Sequence, residues 1–326
     1  VSRTALFHQR YATNTLPEWN IVQPFRYIAH NGEINTLIGN RNWMTAREAD
    51  LESAVWGDDV SALSPVISPI GSDTASLDEA LELLVQSGRD LLHAMRMLVP
   101  EAWENMPNIH PHLRSFYEYH ATLMEPWDGP AAVAFSNGTT TAAVMDRNGL
   151  RPARYQVTSD GLVIMGSEVG LVDIPFDKIV ESGRLGPGEM IAVDSARRLF
   201  LHPEDIAREL VVRRPYGDWV EKHLVHLHAV EDDGLREQEP PQDVLAMQQL
   251  HGYTREEVET VIKPMARDGK EPVGSMGDDT PLSALQNQGR LLYTYFKQRF
   301  AQVTNPAIDS IREEIVMSLD MYLGRR

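Results

Sequence analysis

Three short stretches carry residue types that could do chemistry together. The dipeptide Asn31-Gly32, within "HNGEINTLIGN", offers a side-chain amide beside a backbone N–H. Two such donors are what an acyl-transfer site needs to hold a developing oxyanion. The same dipeptide also serves as a plain tight turn, because Gly takes a positive φ and Asn tolerates it. Arg10, in "HQRYATNT", carries a planar fork that matches a carboxylate or a surface ion pair. Asp73, in "GSDTASLDEAL", stands just ahead of a helical pattern, where it suits an ammonium group or an N-cap. Ser76 with Glu79 offers a competing capping box, so the helix does not need Asp73 for its start.

Other chemistry is excluded or left without support. The 326 residues contain no cysteine, which removes disulfides, thiolate metal sites, iron–sulfur ligation and a cysteine nucleophile from this chain. Histidines gather as His110 and His112, and as His223, His226 and His228, without an acidic or further histidine partner at metal-ligand spacing. The doublets Asp232-Asp233 and Asp278-Asp279 read as solvated loop charge. No phosphate-binding glycine loop and no nucleophile elbow are present. A formal net charge of −17 argues against nucleic acid as a partner. No apolar run approaches the roughly 18 residues of a membrane span, and no signal peptide opens the chain. A cytoplasmic location is expected, with the stroma of a plastid as the other option.

The elements that must position these residues are legible in outline. An Asn-Gly pair between alternating apolar residues ordinarily closes a hairpin, but Leu37, Ile38, Trp43, Met44 and Ala46 behind it follow a helical face. Leu77, Ala80, Leu81, Leu84 and Val85 predict a helix over 74–86, stopped by Gly88. Further helices are expected over 91–98 and 113–123. From Ala131 onward, apolar runs alternate with Asn137-Gly138, Asn148-Gly149 and Asp160-Gly161, which predicts an antiparallel meander of four strands. "EMIAVD" and "RLFLH" add a further pair. Helices of the first half then cover a sheet of the second in an α+β arrangement. The stretch 216–281 reads as linker, with two short helical patterns around Gly252, and a new helical segment is expected from Leu282. Val1 opens on "TALFHQRYATNT" and the chain closes on "IREEIVMSLDMYLG", so a fragment is expected at both ends.

The order of these stretches resembles one family. "HQRYATNTLPEWNIVQPFRYIAHNGEINTLIGNRNWM", "ISPIGSDTASLDEALELLVQSGRDLLHAMRMLVPEAW", "DRNGLRPARY" and "SEVGLVDIPFDKIVESGRLGPGEMIAVD" are similar to the class II glutamine amidotransferase region of glutamate synthases. "GKEPVGSMGDDTPLSAL" and "YFKQRFAQVTNPAIDSIREEIVMSL" resemble the join to that family's central domain. The resemblance implies an N-terminal nucleophile hydrolase fold: an αββα sandwich of antiparallel sheets, incomplete here, over 1–215. A linker over 216–281 and the start of an α/β central domain over 282–326 follow. It implies an oxyanion hole at Asn31 and Gly32, with Arg10 on the α-carboxylate of glutamine and Asp73 on its α-amino group. Thr13, Glu33 and Ser72 lie close enough to support them. The nucleophile, an N-terminal Cys in this family, is missing, so this chain alone is expected to be inactive.

For the full-length enzyme the resemblance implies FMN, an iron–sulfur cluster, 2-oxoglutarate, and a small subunit or ferredoxin as electron donor; none of their binding residues falls here. Two alternatives stay open at this point: another class II amidotransferase of the phosphoribosylpyrophosphate type, and a non-catalytic module of the same fold.

Overall fold

In a computed structural model the described residues are 2–9, 16, 18–226, 243–269, 272, 282–296, 315, 318 and 320–323. The chain divides into two compact units, 1–226 with 319–326, and 227–318.

The first unit is built on two antiparallel sheets. Strands β1 (Ile28–Gly32), β2 (Ala131–Ser136), β3 (Thr140–Met145), β7 (Met190–Asp194) and β8 (Leu199–Leu201) form the larger, in that spatial order. The smaller has β4 (Arg154–Thr158) at its centre, between β5 (Val163–Gly166) and β6 (Ile179–Arg184). The four-strand meander expected from the turn dipeptides is therefore split. Asn137-Gly138 and Asp160-Gly161 do close the β2–β3 and β4–β5 hairpins, but β3 takes β7 as its second neighbour. Asn148-Gly149 makes no hairpin: the Asp146 carboxylate accepts N–H groups from Asn148, Leu150 and Arg151, and β4 leaves for the other sheet.

The period-two alternation explains how the layers stack. On β3, Ala142 and Val144 join the main core, while Ala143 and Met145 point into a second apolar cluster. Tyr155 of β4 and Met165 of β5 line that second cluster, so it joins the two sheets. The opposite face of the large sheet is covered by helices.

Helix α1 spans Leu37–Glu48, α2 Asp73–Gln86, α3 Leu91–Leu98 and α4 Pro111–Ala121. Pro203–Val211 (α5), which the sequence reading left unassigned, and Tyr216–His223 (α6), in the stretch read as linker, complete the layer; α6 belongs to it because Tyr216 is buried in the main core with Trp219 packed against it. Leu77, Leu81, Leu91, Met95, Leu98 and Phe116 pack there against Val133 and Phe135 of β2.

Two buried polar devices hold this layer. The Asp78 carboxylate of α2 accepts the N–H groups of Arg26, Tyr27 and Ile28 at 3.1, 2.9 and 2.9 Å, which fixes the start of β1. His93 and His120 meet Nε2 to Nε2 at 2.7 Å in the helix layer. Because His120 Nδ1–H donates to the Phe116 carbonyl at 2.6 Å, its Nε2 is the acceptor and His93 the donor.

In the second unit α7 (Val244–Leu250) precedes a helical stretch running through Arg255–Glu257, a π turn at Val258–Ile262, and Lys263–Asp268. This matches the two helical patterns around Gly252. The helix expected from Leu282 is not formed in the described part of that segment. Two 3-10 turns, Ser283–Leu285 and Leu292–Tyr295, stand there, separated by extended backbone at Gln286 and Leu291. Residues 297–314 lie outside the described residues.

Candidate active site

Asn31 and Gly32 close β1, an edge strand paired only with β2. Backbone N–H groups of an antiparallel strand alternate between its two sides. Ile28 N–H goes to Asp78 and His30 N–H to Gln23 Oε1 at 2.6 Å, both away from β2. Gly32 N–H falls on that same open side, and no acceptor among the described residues meets it.

Only glycine fits this position. Its φ is +137°, and a Cβ would lie 1.7 Å from the Pro130 carbonyl oxygen. The expectation of a turn followed by a helix is met: after Gly32 the chain crosses Asn35 and Thr36, whose N–H groups donate to the Asp128 carbonyl at 2.7 and 3.2 Å, and enters α1.

Asp73 is brought to this strand end. It is the first residue of α2, and Ser72, not Asp73, is the N-cap, accepting from Ala75 N–H at 3.1 Å. The competing capping box at Ser76 and Glu79 does not form: Ser76 Oγ bonds Arg41 and the Ser72 carbonyl, while Glu79 accepts from Ser68 N–H. Arg41 of α1 ties down the turn ahead of Asp73 by donating to the Gly71 carbonyl at 2.6 Å. Relieved of capping, Asp73 Oδ2 accepts the Ile34 N–H at 2.8 Å, two residues beyond Gly32. The Asp73 side chain stays about a quarter exposed.

Beside it stands His30, which the sequence reading passed over. Gln23 Oε1 takes the His30 N–H, so Gln23 Nε2 faces His30 Nδ1, at 3.1 Å. That makes Nδ1 an acceptor and puts the ring proton on Nε2, which meets Thr74 Oγ1. Thr74 in turn donates to Asp73 Oδ1 at 3.3 Å. Burial pulls the His30 pKa down to about 4 against the opposing pull of the Asp73 carboxylate. The imidazole is therefore neutral at pH 7.

Asn31, on the opposite face of β1 from His30, is exposed, and its Oδ1 accepts from Arg151 Nη2 at 2.6 Å. Arg151 lies in "DRNGLRPARY", a motif whose sequence gives no hint of a reach across 120 residues. The structure thus brings Asn31, Gly32 and Asp73 to one strand end. Arg10 and Thr13 lie outside the described residues. Of the other supporting residues named, Ser72 caps α2, and Glu33 donates its N–H to the Pro130 carbonyl. Among the described residues no group of three His, Asp or Glu side chains is arranged to hold a metal ion, and no helix is long and apolar enough to cross a membrane.

Comparison with known proteins places the chain in a class. Residues 1–219 match the family described as glutamine amidotransferases class-II. The chain belongs to that family. Residues 246–326 match the glutamate synthase central domain, and the likeness within the class runs to glutamate synthases. Identity is 50% to ferredoxin-dependent glutamate synthase 2 of Synechocystis sp., covering 100% of this chain and 21% of that protein. It is 47% to the chloroplastic ferredoxin-dependent glutamate synthase 2 of Arabidopsis thaliana, covering 99% and 20%. To the glutamate synthase [NADPH] large chain of Bacillus subtilis it is 44%, covering 99% and 21%. The chain thus spans about a fifth of the length of these relatives. A solved glutamine phosphoribosylpyrophosphate amidotransferase from B. subtilis aligns at 19% identity over 58% of this chain and 32% of its own, with a TM-score of 0.31, too low to favour that type.

Proposed function

We propose that this chain supplies the glutamine-binding and oxyanion-stabilising half of the glutaminase centre of a glutamate synthase. The observation that carries the reading is the Asp73 carboxylate held by the Ile34 N–H beside the Asn31-Gly32 strand end, in a chain of class II amidotransferase family. Asp73 takes the α-ammonium of glutamine and Arg10 its α-carboxylate. Two grips of opposite sign select an amino acid over a simple amide and place its carboxamide at β1.

A thiolate from outside this chain attacks the amide carbon, and its negative charge passes to the carbonyl oxygen, which Asn31 Nδ2 and Gly32 N–H stabilise. The C–N bond then breaks as the nucleophile's own α-amino group, which took the thiol proton, returns it to the departing ammonia, and water hydrolyses the glutamyl thioester. One such donor is worth about 3 kcal/mol of barrier. For the domains, the reading is an αββα sandwich over 1–215 with α6 packed on it, then a connecting stretch, then a central domain whose family match begins at residue 246, ahead of the 282 expected.

The whole enzyme would pass the ammonia on to 2-oxoglutarate, where bound FMN would supply the reducing chemistry and an iron–sulfur cluster would link it to ferredoxin or a small subunit, in the cytoplasm or a plastid stroma. A chain without cysteine offers such a cluster no thiolate ligand. Glutaminase assays test the reading. A full-length glutamate synthase carrying this sequence hydrolyses glutamine, and Asp73→Asn or Arg10→Ala raises KM for glutamine at least tenfold, by about 1.4 kcal/mol or more per grip. This chain by itself shows no turnover. Glutamine turnover by the chain alone, or unchanged KM in both variants, would overturn it.

A further inference from the structure

We infer that Arg151 is a positioning residue for glutamine hydrolysis, fixing which way the Asn31 side-chain amide faces. This deepens the function proposed above and rests on its assignment of Asn31. An oxyanion donor built from asparagine carries an ambiguity that a backbone N–H does not: a half-turn about χ2 replaces the NH2 group by a carbonyl oxygen, which repels the developing charge. Asn31 is exposed, and the bond to Arg151 is its side chain's one hydrogen bond among the described residues. Guanidinium has five donors and no acceptor, so the group facing it must be the amide oxygen. The 2.6 Å contact therefore turns Nδ2 to the other side, as a donor.

The loop that delivers Arg151 is anchored to the same strand end. Asp146 follows β3, and its N–H donates at 2.8 Å to the carbonyl of Ala131, the register partner of Gly32. The Asp146 carboxylate, on a residue 3% exposed, gathers the N–H groups of Asn148, Leu150 and Arg151 at 3.0 to 3.2 Å. Gly188 N–H and Gly149 N–H both donate to the Asp146 carbonyl, at 2.8 and 3.0 Å. Gly149 takes φ +65° with Pro187 against it, a position that closes the loop without room for a side chain. Six residues of loop are thus held to the β2 end that also seats Gly32, and Arg151 projects from them onto Asn31. The motif "DRNGLRP" reads as one device: Asp146 builds the loop and Arg151 orients the donor.

A double-mutant cycle in a full-length glutamate synthase carrying this sequence tests it, with glutaminase kcat and KM read separately. Arg151→Met keeps the apolar stem and removes every donor. It lowers kcat about tenfold and leaves KM within about twofold, because the charged grips on glutamine are untouched. Asn31→Ala lowers kcat about 100-fold. The decisive reading is non-additivity: the double variant falls no more than about twofold below Asn31→Ala, since an arginine acting through the amide has nothing left to act on. Arg151→Lys, which retains a donor, recovers part of the loss where Asn31 is intact and none in the Asn31→Ala background.

A purely structural arginine would give multiplying losses and a matching fall in thermal midpoint, and that result overturns the inference. So does an unchanged kcat in Arg151→Met when Asn31→Ala is crippled. If Asn31→Ala itself is silent, the oxyanion assignment of the proposed function fails, and this inference with it. Should Arg151→Met fail to fold, Arg151→Lys read in both backgrounds carries the same comparison.

Discussion

Removing the Asp78 side chain is the perturbation whose cost follows most directly from the structure. Its two carboxylate oxygens accept three consecutive backbone N–H groups, Arg26 on Oδ2 and Tyr27 and Ile28 on Oδ1, and the residue is 3% exposed. In Asp78→Ala, the Tyr27 and Ile28 N–H groups are left in the core without acceptors, at about 1–3 kcal/mol each. Arg26 is exposed enough for water to replace its partner. The expected loss is therefore about 3–5 kcal/mol. Asp78→Asn retains one carbonyl oxygen, which can keep the bonds to Tyr27 and Ile28, while its NH2 group faces the Arg26 N–H. The cost then drops to about 1–2 kcal/mol.

Urea denaturation followed by tryptophan fluorescence measures both, with Trp127, 2% exposed in the main core, as the reporter. The amides of β1 should lose hydrogen-exchange protection first, since Asp78 holds the strand's start. Equal losses in the Ala and Asn variants, or a loss under about 1 kcal/mol in Asp78→Ala, would refute the count of orphaned donors.

Acid should weaken the helix layer in a definite window. Burial pulls the pKa of His93 down to about 4 and that of His120 to about 3, so both are neutral when folded and take up protons on unfolding. The unfolded chain binds more protons below its own pKa of about 6.5, so this contribution is full above that pH and shrinks as pH falls toward 4. At pH 5 the loss is about 2 kcal/mol per imidazole relative to pH 7.5, and the double variant His93→Phe/His120→Leu should show a flatter stability profile between pH 6.5 and 5. A steeper profile in that variant would reverse the argument. Gly32→Ala forces a methyl to 1.7 Å from the Pro130 carbonyl oxygen at a φ of +137°. It should cost about 3 kcal/mol or more, seen as a lower urea midpoint, and remove glutaminase activity; a fully stable, active variant would contradict the register of β1 on β2.

How far the sequence could be read depended on how local each determinant is. Helices α2 and α3 were legible almost to the residue, because their apolar spacing coincides with local caps: Asp90 accepts from His93 N–H at 3.1 Å and starts α3 where expected. The β2–β3 and β4–β5 hairpins were legible for the same reason, each being closed by its own turn dipeptide. Which strand lies next to β3 was not, since β7 is far along the chain and alternation names no partner. Asn148-Gly149 looks like its two neighbouring turn signals, and only the Asp146 carboxylate distinguishes it.

In the site, Asn31, Gly32 and Asp73 were visible as residue types, but the division of labour between Ser72 and Asp73 needed coordinates. His30 stood beside the motif without a periodicity to mark it. Arg151 was out of reach altogether, because its partner is fixed by the packing of one loop on a strand end.

A crystal structure of a full-length glutamate synthase carrying this sequence, soaked with L-glutamate, the product of hydrolysis, tests the central claim most directly. The account predicts the γ-carboxylate within about 3 Å of Asn31 Nδ2 and Gly32 N, the α-ammonium on Asp73 and the α-carboxylate on Arg10. Glutamate bound elsewhere, or bound with Asn31 and Asp73 on no part of it, would contradict it.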